Sequence, residues 1–457
     1  MANNNSPLIK DKSDLIAWLE EGQSPAQDWR IGTEHEKFLF DLKTLKRPSY
    51  EQENGVGALL RGLEDHLSGT PIMEGQTIIG LKDQDGGSLT LEPGGQFELS
   101  GAPLENLHQT CAETGRHLKA MQKVCGDLGL GMIGLGYDPL WTREDVPWMP
   151  KGRYRIMREH MPKVGTLGLD MMLRTSTIQV NLDYASEADM VKKFRTSLAL
   201  QPVATAIFAN SPFRDGKPSG LLSTRAEAWT DTDNARCGVP ACVFDDGFGY
   251  EQWVDYILDV PMYFLHRGEG DQEGYENVAG LSFRDFMKGE LPGFEGQMPV
   301  MADWADHITT AFPEVRLKQY IEMRGADGGP WHMICALPAL WTGLLYDAEA
   351  LDAAADLAAG LTADDVADAR MQAAEFGLKG QIGGRSMHDL AKEMVAISSK
   401  GLSRRNRLDS AGNDETGFLD PIRKITDSGK NEAEDMIELY NGDWGGDLKR
   451  VYEYFLF

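Results

Sequence analysis

Apolar and polar positions change period several times along the chain, and each change predicts an element. Leu15 and Leu19 share one face of an amphipathic helix over Leu15–Glu21, and a strand follows over Ile31–Phe40. Thr77–Ser100 is strand-rich. Leu107, Cys111, Leu118, Met121 and Val124 form an apolar stripe that predicts a helix over Leu104–Leu128. Leu130–Tyr137 reads as a buried strand, Thr175–Asp183 as an exposed or ligand-facing one, and Met190–Ala209 as a second long helix. After Trp341 the character changes. Residues 347–370 are rich in Ala and carry seven acids against one base, Arg370, which predicts helices with solvated acidic faces. No repeat and no long linker interrupts the chain. The expectation is an α+β fold of mainly antiparallel strands, with residues 1–457 as a single domain and a helical C-terminal subdomain over about residues 346–457.

Strand alternation also sorts the polar residues. Side chains at i and i+2 of a strand share a face, ~6.7 Å apart. Glu34 and Glu36 therefore point one way, as do Gln96, Glu98 and Ser100, with Glu92 just before a Pro-Gly-Gly turn. Thr175, Thr177, Gln179, Asn181 and Asp183 form a wholly polar face, backed by Ser176, Ile178, Val180 and Leu182. From Arg316 to Arg324 the polar face holds Arg316, Lys318, Tyr320, Glu322 and Arg324. A sheet with one wet face explains any one of these strands, but four together ask for more. Two carboxylates at that spacing repel by roughly 2–3 kcal/mol at an effective dielectric of about 20. Oxygen donors of this kind suit Mg²⁺ or Mn²⁺ rather than zinc. Lys151, Arg153, Arg155 and Arg158 fall within eight residues, and Arg225, Arg316 and Arg324 add further forks for carboxylate or phosphate. Divalent metal with arginines points to phosphoryl chemistry on a nucleotide.

Other motifs lack their context. Gly129, Gly131 and Gly134 match G-x-G-x-x-G, yet a predicted helix precedes them and a strand follows, the reverse of the dinucleotide-binding order. No phosphate-binding G-x-x-x-x-G-K-[ST] loop occurs. Glu34-His35-Glu36 has Leu39 where a second zinc ligand would stand. Met171 and Met172 read as packing residues.

Charge then narrows the partners. The 457 residues include 45 basic and 71 acidic ones, a formal net charge of −26, which disfavours binding to nucleic acid. The hydrophobic fraction of 42% and charged fraction of 25% are those of a globular chain, and no apolar run is long enough to span a membrane. The stretch from Met1 to Pro7 has the order of neither a secretory signal nor a transit peptide. Five scattered cysteines make no disulfide scaffold, so a cytoplasmic location is expected.

At these residues the chain resembles the glutamate–cysteine ligase family of the plant and proteobacterial type. The matching segments include Gly32-Thr-Glu-His-Glu-Lys-Phe, Leu91-Glu-Pro-Gly-Gly-Gln-Phe-Glu-Leu-Ser, Met149-Pro-Lys-Gly-Arg-Tyr, Gln179-Val-Asn-Leu-Asp, Trp229-Thr-Asp-Thr-Asp and Glu322-Met-Arg-Gly-Ala-Asp-Gly-Gly. They span about residues 30–345. The resemblance implies a glutamine-synthetase-like fold, a curved antiparallel funnel ringed by helices and forming one catalytic domain. It implies ATP-dependent joining of glutamate to L-cysteine through γ-glutamyl phosphate, the first step of glutathione synthesis, with glutathione as a candidate feedback inhibitor. Glu34, Glu36, Glu92, Glu98, Gln179 and Glu322 correspond to ligands of two or three Mg²⁺ ions, with Mn²⁺ as an alternative. The resemblance makes Arg324 the arginine that steadies the transferring phosphate, and Glu36 and Glu322 count with it as catalytic residues. It also implies that Arg153 and Arg225 clamp substrate carboxylates, that Tyr263 lines the cysteine pocket, that Trp229 is a pocket wall, with a buried core tryptophan as the alternative, and that Lys37, Arg155 and Arg316 bind the nucleotide.

The resemblance also bears on the cysteines. Plant relatives bridge two positions that are Val278 and Gly293 in this chain, so that bridge is lost. Cys111 and Cys335 correspond to a second bridge that governs access to the site; two buried free thiols are the alternative. A monomer is the expected working unit. Another carboxylate–amine ligase with a different amine acceptor, or a funnel without catalysis, shares the same residues.

Overall fold

The computed structural model describes residues 6–67, 69–268 and 274–457. The targeting reading of the N-terminus lies, up to residue 5, outside the described residues. Nine strands form the main sheet: β1 (Ile31–Asp41), β2 (Thr70–Glu74), β3 (Thr77–Lys82), β4 (Ser88–Leu91), β5 (Phe97–Ser100), β6 (Leu130–Ile133), β7 (Thr177–Leu182), β8 (Val315–Leu317) and β9 (Ile321–Asp327). Their order is β8-β9-β7-β1-β5-β4-β3-β2, with β6 pairing Phe38–Asp41 of β1, and the pairs are antiparallel.

Period-2 alternation decides which face each side chain takes. Ile178, Val180 and Leu182 of β7 enter a core with Leu198 and Val203 of helix Glu187–Ile207 and Leu337 and Trp341 of helix Trp331–Leu345. Phe97 and Leu99 of β5 enter a second core with Val56, Leu60, Leu118 and Met121. Helices thus cover the apolar face, and the polar face is left to a cavity. The larger core continues through Ala354, Val366, Met387 and Ile422, so helices beyond residue 346 pack on the same apolar cluster as the sheet.

Local chemistry explains the ends that periodicity misplaced. Asn106 accepts a hydrogen bond from the Gln109 amide, so the helix begins at Leu107 rather than Leu104, and Gly129 with φ 72° stops it. Ser186 caps the next long helix through the Asp189 amide, which starts it at Glu187, ahead of the apolar stripe. Residues 347–370 divide between helices Ala348–Ala358 and Ala363–Phe376. Two of the acids there are local fasteners: Asp347 is an N-cap, and Asp365 closes a capping box with Thr362.

The segment predicted as one strand over Arg316–Arg324 is a hairpin, β8 and β9 joined through Lys318–Tyr320. Arg316 lies directly opposite Glu322, so the turn returns the polar residues to the same face. A bulge between Met323 and Ala326 then shifts β9 against β7. There the Arg324 amide donates to the Glu314 carbonyl instead (3.0 Å).

Asp327, at the end of β9, is buried and accepts from the Asn210 amide (2.8 Å), Ser211 Oγ (2.6 Å) and Ser223 Oγ (2.7 Å). Asp327→Ala strands three donors and is expected to cost about 3 kcal/mol, read as a lower urea midpoint at constant m. A loss below about 1 kcal/mol would show that the site relaxes around the deletion. Elsewhere a disulfide joins Cys111 of helix Leu107–Leu128 to Cys335 of helix Trp331–Leu345, with Cα atoms 5.8 Å apart.

Candidate active site

Register places the polar residues in rows across the sheet. Glu36 lies opposite Glu98, and Glu98 opposite Thr90; Glu34 lies opposite both Ser100 and Gln179; Glu322 lies opposite Asn181 and Arg316. Glu92 joins them from the turn between β4 and β5. Gly95 there takes φ +76°, and a Cβ on Gly94 would come within 2.4 Å of the Leu173 carbonyl, so the tight Pro-Gly-Gly path needs both glycines. Gln96 pins the turn by accepting from the Gly94 amide and donating to the carbonyls of Met172 and Thr175.

A cavity of about 440 Å³ opens on this face. Glu34, Glu36, Glu92, Glu98, Gln179 and Glu322 line it together with Arg153, Arg225, Trp229, Tyr263, Arg316 and Arg324. Among the described residues, the buried atoms Arg153 Nε and Trp229 Nε1 at its wall have no hydrogen-bond partner, two donors open to a ligand.

Two expectations need correction. Lys37 follows Glu36 on β1 and so faces the opposite side of the sheet. It is buried there, with Nζ 2.8 Å from His35 Nδ1 and 3.0 Å from His117 Nε2, and it donates to the His35 carbonyl. Arg155 shares helix Gly152–His160 with Arg153, but two residues along a helix is more than half a turn; Arg155 is exposed and does not line the cavity. Other wall residues were not singled out as site residues. Lys318 and Tyr320, which alternation places on the polar face without giving them a role, line the cavity. Met157, Met171, Met172 and Phe312 form apolar wall, and in sequence they look like any packing residues.

Electrostatics divides the carboxylates into two groups. Burial, with Glu322 and Glu98 nearby, raises the Glu34 carboxyl to about 7. Burial, with Glu98 and Glu92, lifts Glu36 well above the ordinary range, and burial with Glu92 raises Glu98. For Glu322 burial would also raise the carboxyl, but Arg316, Lys318 and Arg324 outweigh it and hold it low. Arg316 grips Glu322 with two bonds (2.6 and 3.1 Å), and Arg324 Nη1 lies 3.0 Å from Glu322 Oε1 and 2.8 Å from Gln179 Oε1.

Glu34 and Glu36 are half-buried and Glu98 is buried, and in each desolvation and the neighbouring carboxylates outweigh the nearby cations. That is an oxygen-donor set which fits a hard divalent cation. Among the described residues no three His, Cys, Asp or Glu side chains are drawn together tightly enough to hold an ion. Glu322 and Gln179 already engage the arginines.

The family model described as Glutamate-cysteine ligase family 2 (GCS2) matches residues 30–454. The chloroplastic glutamate–cysteine ligase of Nicotiana tabacum is 52% identical over 99% of this chain and 83% of its own length. That of Arabidopsis thaliana is 51% identical with the same coverage. Among solved structures, the glutamate–cysteine ligase of Francisella tularensis in complex with AMP has a TM-score of 0.53 at 13% identity, covering 93% of this chain and 89% of its own. The fold is thus the expected α+β carboxylate–amine ligase architecture. The chloroplastic relatives correct the expectation of a cytoplasmic location. Cysteine count and core composition do not report compartment, because an address is read by its receptor and leaves no mark on the folded core. With a family match over residues 30–454 and such identity along nearly its whole length, this chain belongs to glutamate–cysteine ligase family 2.

Proposed function

We propose that the cavity joins the γ-carboxylate of glutamate to the α-amine of L-cysteine while ATP becomes ADP and phosphate, the first step of glutathione biosynthesis. One observation carries the assignment of chemistry to this place: crowded carboxylates and arginine forks share one cavity in a chain of this family. A carboxylate is a poor electrophile. In this reading its oxygen takes the γ-phosphoryl group of ATP with release of ADP, and the amine then attacks the acyl carbon and expels phosphate.

Arg153 and Arg225 hold substrate carboxylates, and the half-buried setting of the first and the burial of the second strengthen each pairing. Arg324 meets the charge that develops on the transferring phosphoryl group, steadied through Glu322 and Gln179. Trp229 and Tyr263 wall the L-cysteine side. Glu34, Glu36, Glu92 and Glu98 would hold Mg²⁺, or Mn²⁺ in its place; Gln179 and Glu322, also expected as ligands, engage Arg324 instead. Such ions, when bound, neutralise phosphate oxygens. Arg316, at the cavity wall, fixes Glu322 with two bonds and is the remaining base of the set assigned to the nucleotide. No side-chain nucleophile is needed, because positioning and charge supply the acceleration. A monomer is the proposed working unit. Glutathione, which carries the same γ-glutamyl group, is the candidate inhibitor of this site.

ADP release with ATP, Mg²⁺ and glutamate, with and without L-cysteine, tests the reading. Cysteine-dependent ADP with γ-glutamylcysteine is expected. Faster turnover with another amine would reassign the acceptor, and no ADP under any condition would leave a funnel without catalysis.

The Cys111–Cys335 bridge ties two helices behind the sheet, which supports a redox influence on access to the cavity. Oxidised enzyme is expected to turn over several-fold faster than enzyme reduced with dithiothreitol, and Cys111→Ser to behave like the reduced form. Equal rates in all three would remove the idea.

A further inference from the structure

Arg370 is the single base of the acidic segment 347–370, and it does not face solvent. From helix Ala363–Phe376 its Nε donates to Glu314 Oε1 (2.7 Å) and its Nη2 to the Trp229 carbonyl (3.1 Å). Both side chains of this pair are only 14% exposed, far from the regime where surface ion pairs contribute little.

These two bonds complete a closed circuit around the site. The Glu314 carbonyl accepts from the Arg324 amide (3.0 Å), and the Arg324 carbonyl accepts from Arg225 Nη2 (2.8 Å). The Arg225 carbonyl accepts from the Trp229 amide (3.3 Å), and the Trp229 carbonyl returns to Arg370. Arg225, Trp229 and Arg324 line the cavity; Arg370 does not. Its planar fork spans two acceptors from segments 85 residues apart (314 − 229), which the point charge of a lysine cannot do equally well. Gly238 leaves room for that fork: its φ is +90°, and a Cβ there would come 3.2 Å from Arg370 Nη1.

We propose that Arg370, acting with Glu314, is a positioning residue for the substrate-carboxylate side of the site, clasping Arg225, Trp229 and Arg324 in one geometry. It ties that geometry to a helix which carries no cavity-lining residue. The inference rests on the reading of Arg225 as a clamp for a substrate carboxylate, which it assigns to glutamate.

Steady-state kinetics on the full chain, with thermal midpoints measured in parallel, test it. Arg370→Gln is expected to raise the KM for glutamate about tenfold, with a smaller fall in kcat, because a displaced clamp weakens binding first. Arg370→Lys is expected to recover part of that loss. In an Arg225→Lys background, Arg370→Gln is expected to add little, since the two act through one contact chain. Unchanged glutamate KM in Arg370→Gln, with or without a lower melting point, would reduce Arg370 to a packing residue and overturn the proposal. If Arg225→Lys raises that KM in the same series, the clamp reading survives the failure; if it does not, both fall. Should Arg370→Gln be insoluble, Glu314→Gln keeps an oxygen for Arg370 and is expected to raise the glutamate KM about threefold. No change in that variant would equally overturn the proposal.

Discussion

Arg324→Lys is expected to lower kcat by about 10³-fold, because an arginine that meets transition-state charge in phosphoryl transfer contributes about 10³ to 10⁵. The substitution keeps a positive charge and removes the fork. In the protein that fork reaches Glu322 at 3.0 Å and Gln179 at 2.8 Å, which sets the direction of its remaining N–H groups. The Arg324 backbone, which bonds Glu314 and Arg225, is untouched by the change. The KM for glutamate is therefore expected to stay within about threefold. Single-turnover ADP release with saturating ATP and glutamate isolates the phosphoryl step. A rate above about one tenth of the wild type would show that charge alone suffices and that the fork is dispensable.

Glu36→Gln is the second large effect. The side chain keeps its shape and loses its charge, in the carboxylate set that we assign to metal. Changing a group that merely supports a metal ligand costs about 10–100-fold, so loss of a ligand is expected to reduce kcat/KM by more than about 100-fold. Apparent Mg²⁺ affinity, measured by calorimetric titration, is expected to weaken by at least about tenfold. Wild-type kinetics and metal affinity would remove Glu36 from the ligand set. The metal-free protein has a matching signature. Burial and neighbouring carboxylates raise Glu34 from its ordinary 4.5 to about 7. The native state therefore binds more protons than the unfolded chain. Stability in chelator is expected to fall as pH rises from about 4.5 through about 7, and Mg²⁺ is expected to restore it. Flat stability across that window would show that the carboxylates are relieved by some other charge.

Much of this site was legible because a strand has period two. Glu34 with Glu36, and Gln96 with Glu98, share faces in the fold as their spacing requires. Parity also held from Arg316 to Arg324, though for an unforeseen reason: the hairpin folds Arg316 directly back onto Glu322. The same rule, applied strictly, would have excluded Lys37, which follows Glu36 and faces His35 and His117 behind the sheet. On helix Gly152–His160 the cluster of bases misled in a different way. Proximity in sequence placed Arg155 with Arg153, and helical rotation separated them.

Sequence alone determined the α+β class, the polar faces and most of the cavity wall, because alternation is a local property of each strand. It did not determine which free carboxylates stay crowded and which are neutralised. Glu322 and Glu36 are both glutamates on polar strand faces, yet one is gripped by Arg316 and Arg324 and the other is repelled by Glu98 and Glu92. Nor does sequence reveal the circuit through Arg370 and Glu314, whose partners lie 141 and 56 residues from Arg370. Local pattern can say which way a side chain points. What it meets depends on register, on a bulge in β9 and on helices arriving from the far end of the chain, and only the packed tertiary structure decides those.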